Sequence, residues 1–292
     1  MSQAFHNSPE RQATLIPRLL GWMPSSWRRA IIGHPDHPSR VSTLAHNLLN
    51  RMRPPKAQVF DCHGPLEGYR MCIDWSRFRS FVYGTWEPFV GREVVSVVKP
   101  GMVVIDAGAH IGYYTLLLAK CVGPSGAVFS FEPLPSNFEM LQKNVAINNL
   151  THVRLQNEAV FSRTERITMY VPDEPNPGEG SVYGREGARQ YVVNAISLDD
   201  FCGKSDLRPD VLKIDVEGAE YDVLVGAQQT ISRWRPRLFI ELHHFDGNLG
   251  AHPVPELLRD YGYQVRWIEQ WPLTSHVQAV PLEVGKKGAF PA

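Results

Sequence analysis

No run of the chain approaches the roughly 20 consecutive apolar residues that a membrane-spanning helix needs. The N-terminus shows no compact apolar core followed by a small-residue cleavage site, so neither a membrane span nor a signal peptide is expected. Cysteine is scarce and unpaired. Cys62, Cys72, Cys121 and Cys202 are scattered without C-x-x-C spacing, which points to neither a disulfide framework nor a zinc site and makes a reducing cytoplasm the expected location. Net charge is absent as well, with 30 Lys and Arg against 30 Asp and Glu. The balance is uneven, however. Residues 1–56 hold eight Lys and Arg against only Glu10 and Asp36, which leaves a neutral-to-acidic body and argues against a nucleic-acid footprint over it. Apolar content of 43% over 292 residues is ample for one large α/β domain with an extension.

What is present is organised around Val103-Val104-Ile105-Asp106-Ala107-Gly108-Ala109-His110-Ile111-Gly112-Tyr113-Tyr114-Thr115. An apolar run from Met102 to Ile105 ends at an acid, two glycines follow four apart, and Tyr114 to Ala119 reads as a helix packed on the strand. Strand, tight turn and helix in this order form the place where open α/β sheets bind nucleotides. Gly108 is expected to supply the turn's backbone angles and to let a ligand approach the main chain, and Gly112 to permit close packing of the helix start. A dinucleotide-binding turn would carry G-x-G-x-x-G around a pyrophosphate. Here Asp106 stands at the first glycine position, where its charge repels a pyrophosphate and suits a ligand with a cationic amino-acid end, such as S-adenosylmethionine. The same residue disfavours a nicotinamide dehydrogenase. The plainer alternative is a turn that only joins strand to helix.

Residues 1–56 alternate short apolar clusters with arginines and prolines and read as a basic, Pro-interrupted extension. It could make a weak contact with an anionic membrane surface or a partner protein. Prolines break any long amphipathic helix, so packing of its Trp and Leu side chains on the main domain is preferred. Residues 57–100 form an expected cap or flap: two short strands around Gly64-Pro65, then Tyr83-Gly84-Thr85-Trp86-Glu87-Pro88, a segment that covers a cofactor or opens a helix.

From residue 101 to 292 strands and helices alternate, which predicts a parallel sheet with crossover helices. The second strand, 127–131, ends at Glu132, an acid placed to hydrogen-bond both hydroxyls of a ribose or else a surface carboxylate. Ser136-Asn137-Phe138-Glu139 fits a capping box. A third strand is expected over 153–160, its end at Glu158-Ala159 lying against an adenine. An added hairpin, 167–171 with 191–193, flanks a turn-rich loop that could border a substrate. The fourth strand, 211–218, places Lys213, Asp215 and Glu217 on one face by the period of two. A lysine inside an apolar strand is costly unless paired. The fifth, 237–244, places Glu241 and His243 on one face. If these two strands are neighbours, five polar groups converge at one rim of the sheet.

These residues resemble the FkbM family of S-adenosylmethionine-dependent methyltransferases. Four segments carry the likeness: Asp106 to Gly112; Phe131-Glu132-Pro133 with Asn137 and the helix of Asn144; Ser197-Leu198-Asp199-Asp200; and Leu212 to Glu220, with its unusual Lys-x-Asp-x-Glu-Gly strand end. The resemblance implies a class I methyltransferase, Rossmann-like α/β fold: a mostly parallel seven-stranded sheet with helices on both faces. It implies S-adenosylmethionine as cofactor and O-methylation of a small molecule, sugar or glycan as the usual activity. Carried over, Asp106 and Gly108 hold the methionine part, Glu132 the ribose and Glu158 the adenine edge. His110, Gly112, Pro133, Asn137, Ala159, Asp215 and Glu87 complete the expected cofactor-binding set. His110 departs from the asparagine that the family more often places there.

In the expected reaction a substrate hydroxyl attacks the sulfonium methyl in line, and a side chain at the fourth or fifth strand end takes its proton. His243 is the first choice as base because an ordinary imidazole titrates near neutrality; His244 and Asp215 follow. The other possibility for His243 is a hydrogen bond within the rim and nothing more. Asp215, Glu217, Glu241 and His243 could instead bind Mg²⁺, but Lys213 on the same face can neutralise them, and no metal is expected. A nucleic-acid N-methyltransferase would carry Asn/Asp-Pro-Pro-aromatic after the fourth strand, which Asp215-Val216-Glu217-Gly218 lacks. A third class, a non-catalytic cofactor-binding partner, sits poorly with intact Asp106, Glu132 and Asp215. The expected partner is thus a small-molecule or carbohydrate substrate and no nucleic acid. Phe245, Trp267 and Trp271 either line its pocket or fill the core.

Overall fold

The computed structural model describes residues 57–172, 180–184, 187–244 and 252–283. The expectations for residues 1–56, the centre of the 172–180 loop and Phe245 lie outside them. Two compact units divide the chain. The described residues of the first are 57–91 with Lys143–Asn149; those of the second run from Arg92 to Gln142 and from Leu150 onward.

In the first unit β1 (Gln58–Asp61) pairs antiparallel with β2 (Arg70–Ile73), and α1 (Trp75–Tyr83) follows. Asp74 starts that helix by accepting the Ser76 amide at 2.8 Å. Among the described residues no strand lies beside the second edge of β2. Its ladder is completed by two asparagines four residues apart. Asn144 accepts the Cys72 N–H at 2.6 Å and donates to the Cys72 carbonyl at 3.3 Å. Asn148 does the same for Arg70, at 2.8 and 2.7 Å. A primary amide has the donor and acceptor of a peptide group, so the pair stands in for a neighbouring strand. Cys72 and Asn144 are fully buried. Asn144→Ala strands two backbone groups and is expected to cost about 2–4 kcal/mol in denaturant unfolding; a loss within experimental error would contradict the assignment.

From α2 (Pro88–Val97), which begins in the first unit, the chain alternates strand and helix. Its elements are β3 (Val103–Ala107), α3 (Tyr113–Val122), β4 (Ala127–Phe131), α4 (Pro135–Ala146), β5 (Val153–Gln156), β6 (Ala159–Val160), β7 (Glu165–Val171), β8 (Arg189–Ile196), α5 (Leu198–Ser205), β9 (Val211–Ile214), α6 (Glu220–Val225), α7 (Gln228–Trp234), β10 (Arg237–His243), α8 (Val254–Asp260), β11 (Tyr263–Gln270) and β12 (Thr274–Pro281). Seven strands form one sheet in the order β11-β12-β10-β9-β3-β4-β5. Neighbours from β10 to β5 are parallel, and only β12 runs against its neighbours. The expected mostly parallel seven-stranded sheet with helices on both faces is therefore present. β3 lies between β4 and β9, so successive crossovers leave it in opposite directions. The crevice at its C-terminal end is where such sheets take ligands.

Strands buried on both sides read as continuous apolar runs, as in β9, where all four residues are buried, Lys213 among them. Ile105, Leu212, Ile214, Leu238, Ile240 and Leu242 pack in one core with Val223 and Leu224 of α6 and Ile231 of α7, each contributing about 1.5–3 kcal/mol by leaving water. Trp267 packs against the same core.

Ser197-Leu198-Asp199-Asp200 turns out to be a clamp. Ser197 caps α5 through the Asp200 amide, and Asp199 accepts the Gln229 and Thr230 amides at 3.0 and 2.7 Å, capping α7. The added hairpin forms from β7 and β8, with β6 parallel to β8.

Three local expectations need correction. The third strand is not continuous. β5 stops at Gln156, where Asn157 turns to donate to the carbonyls of Glu132 and Pro133, and β6 leaves for the smaller sheet. The capping box does not form, because α4 already begins at Pro135, whose fixed φ and missing N–H suit the first helical position. The fourth strand ends at Ile214. Glu217 and Gly218 take φ of 54° and 102°, which stops the period of two.

Candidate active site

The turn after β3 is wound through three left-handed residues, Gly108, His110 and Gly112, at φ of 82°, 51° and 101°. Asn and His tolerate that region better than most side chains, which gives a physical reason for asparagine or histidine at position 110. A Cβ at Gly108 would lie 1.7 Å from the Asp215 carbonyl oxygen, so the missing side chain makes room for the end of β9. The amides of Gly108 and Ala109 both reach the Phe131 carbonyl, and the Asp215 amide reaches that of Ala107. Three strand ends are thereby tied into one rim.

Asp106 is not an open charge in the turn. It belongs to β3 and is fully buried, with Oδ2 accepting the Thr115 hydroxyl at 2.7 Å. Burial pushes its pKa up, against the pull of Lys213 and Thr115. Its Oδ1 is sealed and has no hydrogen-bond partner among the described residues, an acceptor that calls for a donor from elsewhere.

Glu132, also buried, braces the turn. Oε2 accepts the His110 amide at 2.9 Å, while Oε1 accepts the Leu134 amide at 3.0 Å and the Asn137 side-chain amide at 3.3 Å. Burial raises its pKa to about 7 in spite of those donors. Oε2, with one N–H, keeps capacity for a further donor such as a hydroxyl. Asp106 Oδ1 and Glu132 Oε2 thus fit a ligand that brings a cationic amine and vicinal hydroxyls.

The five polar groups of the fourth and fifth strand ends do converge. Lys213 pairs with Asp215 at 2.8 Å and lies over the Tyr114 ring, 4.7 Å from its centroid. Burial alone would raise the Asp215 pKa, but Lys213 and His243 outweigh it and hold it at about 2. His243 is the hub: Nδ1 lies 2.8 Å from Glu220 Oε1, and Nε2 lies 3.3 Å from Glu217 and 4.0 Å from Glu241. Burial favours the neutral ring, but Glu217, Glu220 and Glu241 together outweigh it and raise the pKa well above an ordinary imidazole's. Glu241 also faces His276 of β12 at 3.4 Å, and His276 faces Glu269 of β11 at 3.8 Å. Asp215, Glu241 and His243 each bring one possible metal-ligating atom within 4.8 Å of one another.

The other expected residues have different settings. His244 is buried with its Nε2 on the Ser275 hydroxyl at 3.0 Å. Pro133 follows Glu132, and its carbonyl accepts from Asn157. Glu158 and Ala159 stand where β5 gives way to β6, the first half-buried and the second buried. Glu87 belongs to the first unit, where it is buried at the entry to α2. Sequence reasoning missed Glu220, His276 and Glu269 as members of the rim. Glu220 stood inside the last motif and was legible as its third acid. His276 and Glu269 reach the rim only through the antiparallel register of β12 with β10 and β11, for which the sequence carries no signal.

Comparison with known proteins matches residues 106–265, just over half the chain, to the methyltransferase FkbM domain. Among curated relatives, the 2-O-methyltransferase NoeI of Sinorhizobium fredii is 28% identical over 204 residues, covering 61% of this chain and 80% of its own. The 31-O-demethyl-FK506 methyltransferase FkbM of Streptomyces tacrolimicus is 30% identical over 199 residues, 58% of this chain and 75% of its own. Methyltransferase 1 of Beauveria bassiana is 28% identical over 183 residues, 56% of this chain and 72% of its own.

Proposed function

Because the chain belongs to the FkbM family of S-adenosylmethionine-dependent methyltransferases, we propose that it methylates a hydroxyl of a small molecule or sugar. When bound, S-adenosylmethionine supplies an electrophilic methyl group. The residues suited to hold it are Asp106 and Glu132 at the turn, with Asn137 and His110 fixing the Glu132 carboxylate, and Glu158 with Ala159 at the neighbouring strand end. The observation that carries the reading is the rim beside that turn, where His243 stands among Asp215, Glu217 and Glu241.

An alcohol is a poor nucleophile near neutral pH, so a positioned base is needed. Of the three candidates, Asp215 is a weak base, since Lys213 and His243 stabilise its ionised form. His244 is buried on Ser275. His243 remains: its Nε2 takes the hydroxyl proton, and the carboxylates around it stabilise the imidazolium that results. We read these acids as an ion-pair network balanced by Lys213 and His243 and not as metal ligands. The likeness to a 2-O-methyltransferase and to a 31-O-demethyl-FK506 methyltransferase supports a hydroxyl acceptor. The test is a transfer screen with methyl-labelled donor against hydroxylated sugars and metabolites, using Asp106→Ala as the blank. Label appearing on an oxygen is the expected result; label on nitrogen alone, or on nothing, would refute it.

A further inference from the structure

Glu220 has no part in the cofactor set and no expected role, yet its carboxylate is fully buried at the start of α6. One of its oxygens, Oε1, does two things at once. It accepts the Gly218 amide at 2.8 Å and lies 2.8 Å from His243 Nδ1. The first bond anchors the loop that carries Asp215 and Glu217; the second fixes the ring that Glu217 and Glu241 face from the other side. A buried acid is expensive unless its bonds repay the desolvation, and Gly218 alone would need only a neutral acceptor.

We infer that Glu220 is a positioning residue for His243: it holds Nδ1, so that the neutral ring keeps its proton there and Nε2 is the atom turned to the substrate. This rests on the proposed role of His243 as base. A carboxylate on one imidazole nitrogen sets the tautomer and strengthens the other nitrogen as an acceptor. The remaining charged groups around the ring are Glu217 and Asp215 from the loop after β9, Lys213 behind Asp215, and Glu241 on β10. His276 and Glu269 lie beyond Glu241, and His252 lies 3.8 Å from Glu220 Oε2. Only Glu220 is on the Nδ1 side within hydrogen-bond distance among the described residues.

Two variants of the full chain separate positioning from folding. Glu220→Gln keeps an Oε1 that can accept both N–H groups and removes only the charge; Glu220→Ala removes the contact. NMR titration with ¹⁵N-labelled histidine reads the midpoint and tautomer of His243, and a pH profile of kcat/KM reads the base in action. In Glu220→Gln, with unfolding midpoint and donor affinity unchanged, the His243 midpoint and the acid limb of kcat/KM are expected to move together to lower pH by roughly one unit. In Glu220→Ala the neutral ring should shift its proton toward Nε2. A midpoint and tautomer unmoved in both variants would overturn the inference, as would a midpoint that moves while the acid limb stays. If no hydroxyl substrate turns over, the proposed function fails, while the NMR readings still decide whether Glu220 holds His243.

Discussion

His243→Ala is expected to lower kcat by about 10²–10⁴-fold, the worth of a positioned base, with the affinity for S-adenosylmethionine unchanged. The separation follows from where the groups sit. His243 touches Glu217, Glu220 and Glu241, whereas the turn proposed to receive the cofactor is built on Asp106 and Glu132. Because alanine leaves three acids facing an empty space, His243→Gln is the matched control, neutral and able to donate to Glu220. Both variants should lose turnover. The sign of the pH dependence is also determined. Only the unprotonated ring can accept a proton, and the surrounding carboxylates raise its pKa, so base form accumulates only above the ordinary imidazole range. Wild-type kcat/KM should therefore still be rising with pH above neutrality. Near-full turnover in His243→Gln, or a profile already flat below pH 7, would remove His243 from the mechanism.

Gly108→Ala has the largest expected effect on the fold. The added Cβ would sit 1.7 Å from the Asp215 carbonyl oxygen, which is backbone and cannot swing aside, and the residue holds φ of 82°, a region that alanine enters at a cost. Strain and overpacking together predict a loss of about 3–5 kcal/mol in chemical denaturation. Any protein that folds should have the β3 and β9 ends pushed apart, and with them Asp106 from Asp215. A loss below about 1 kcal/mol would show that the two strand ends are not packed as described.

Much of this architecture is legible in the chain. The apolar runs of β3, β4, β9 and β10 are buried parallel strands, and their acids stand at the ends where ligands are taken. What misleads is local. Asp106 reads as a charge in a turn because sequence spacing gives no depth; it is the last polar residue of a buried strand, kept company by Thr115 and Ser130. Gly108 reads as room for a ligand, but the same absence of a side chain serves a neighbouring strand equally well. Glu217 reaches His243 through a left-handed loop and not through strand periodicity. His276 and Glu269 join the rim because β12 folds back between β10 and β11, a long-range pairing invisible to any local pattern. Asn144 and Asn148 show the reverse. Asn144 near the end of α4 and Asn148 in the turn after it complete the edge of a sheet from 72 and 78 positions away.

The buried acid at the end of β3 is proposed to select a cationic methyl donor over a phosphate-bearing nucleotide. Isothermal titration calorimetry with S-adenosylmethionine and with NAD⁺, on the full chain and on Asp106→Asn, tests it most directly. Saturable heat with S-adenosylmethionine, weakened in Asp106→Asn and absent with NAD⁺, is the predicted result. Tight NAD⁺ uptake with no heat from S-adenosylmethionine would contradict that role for Asp106.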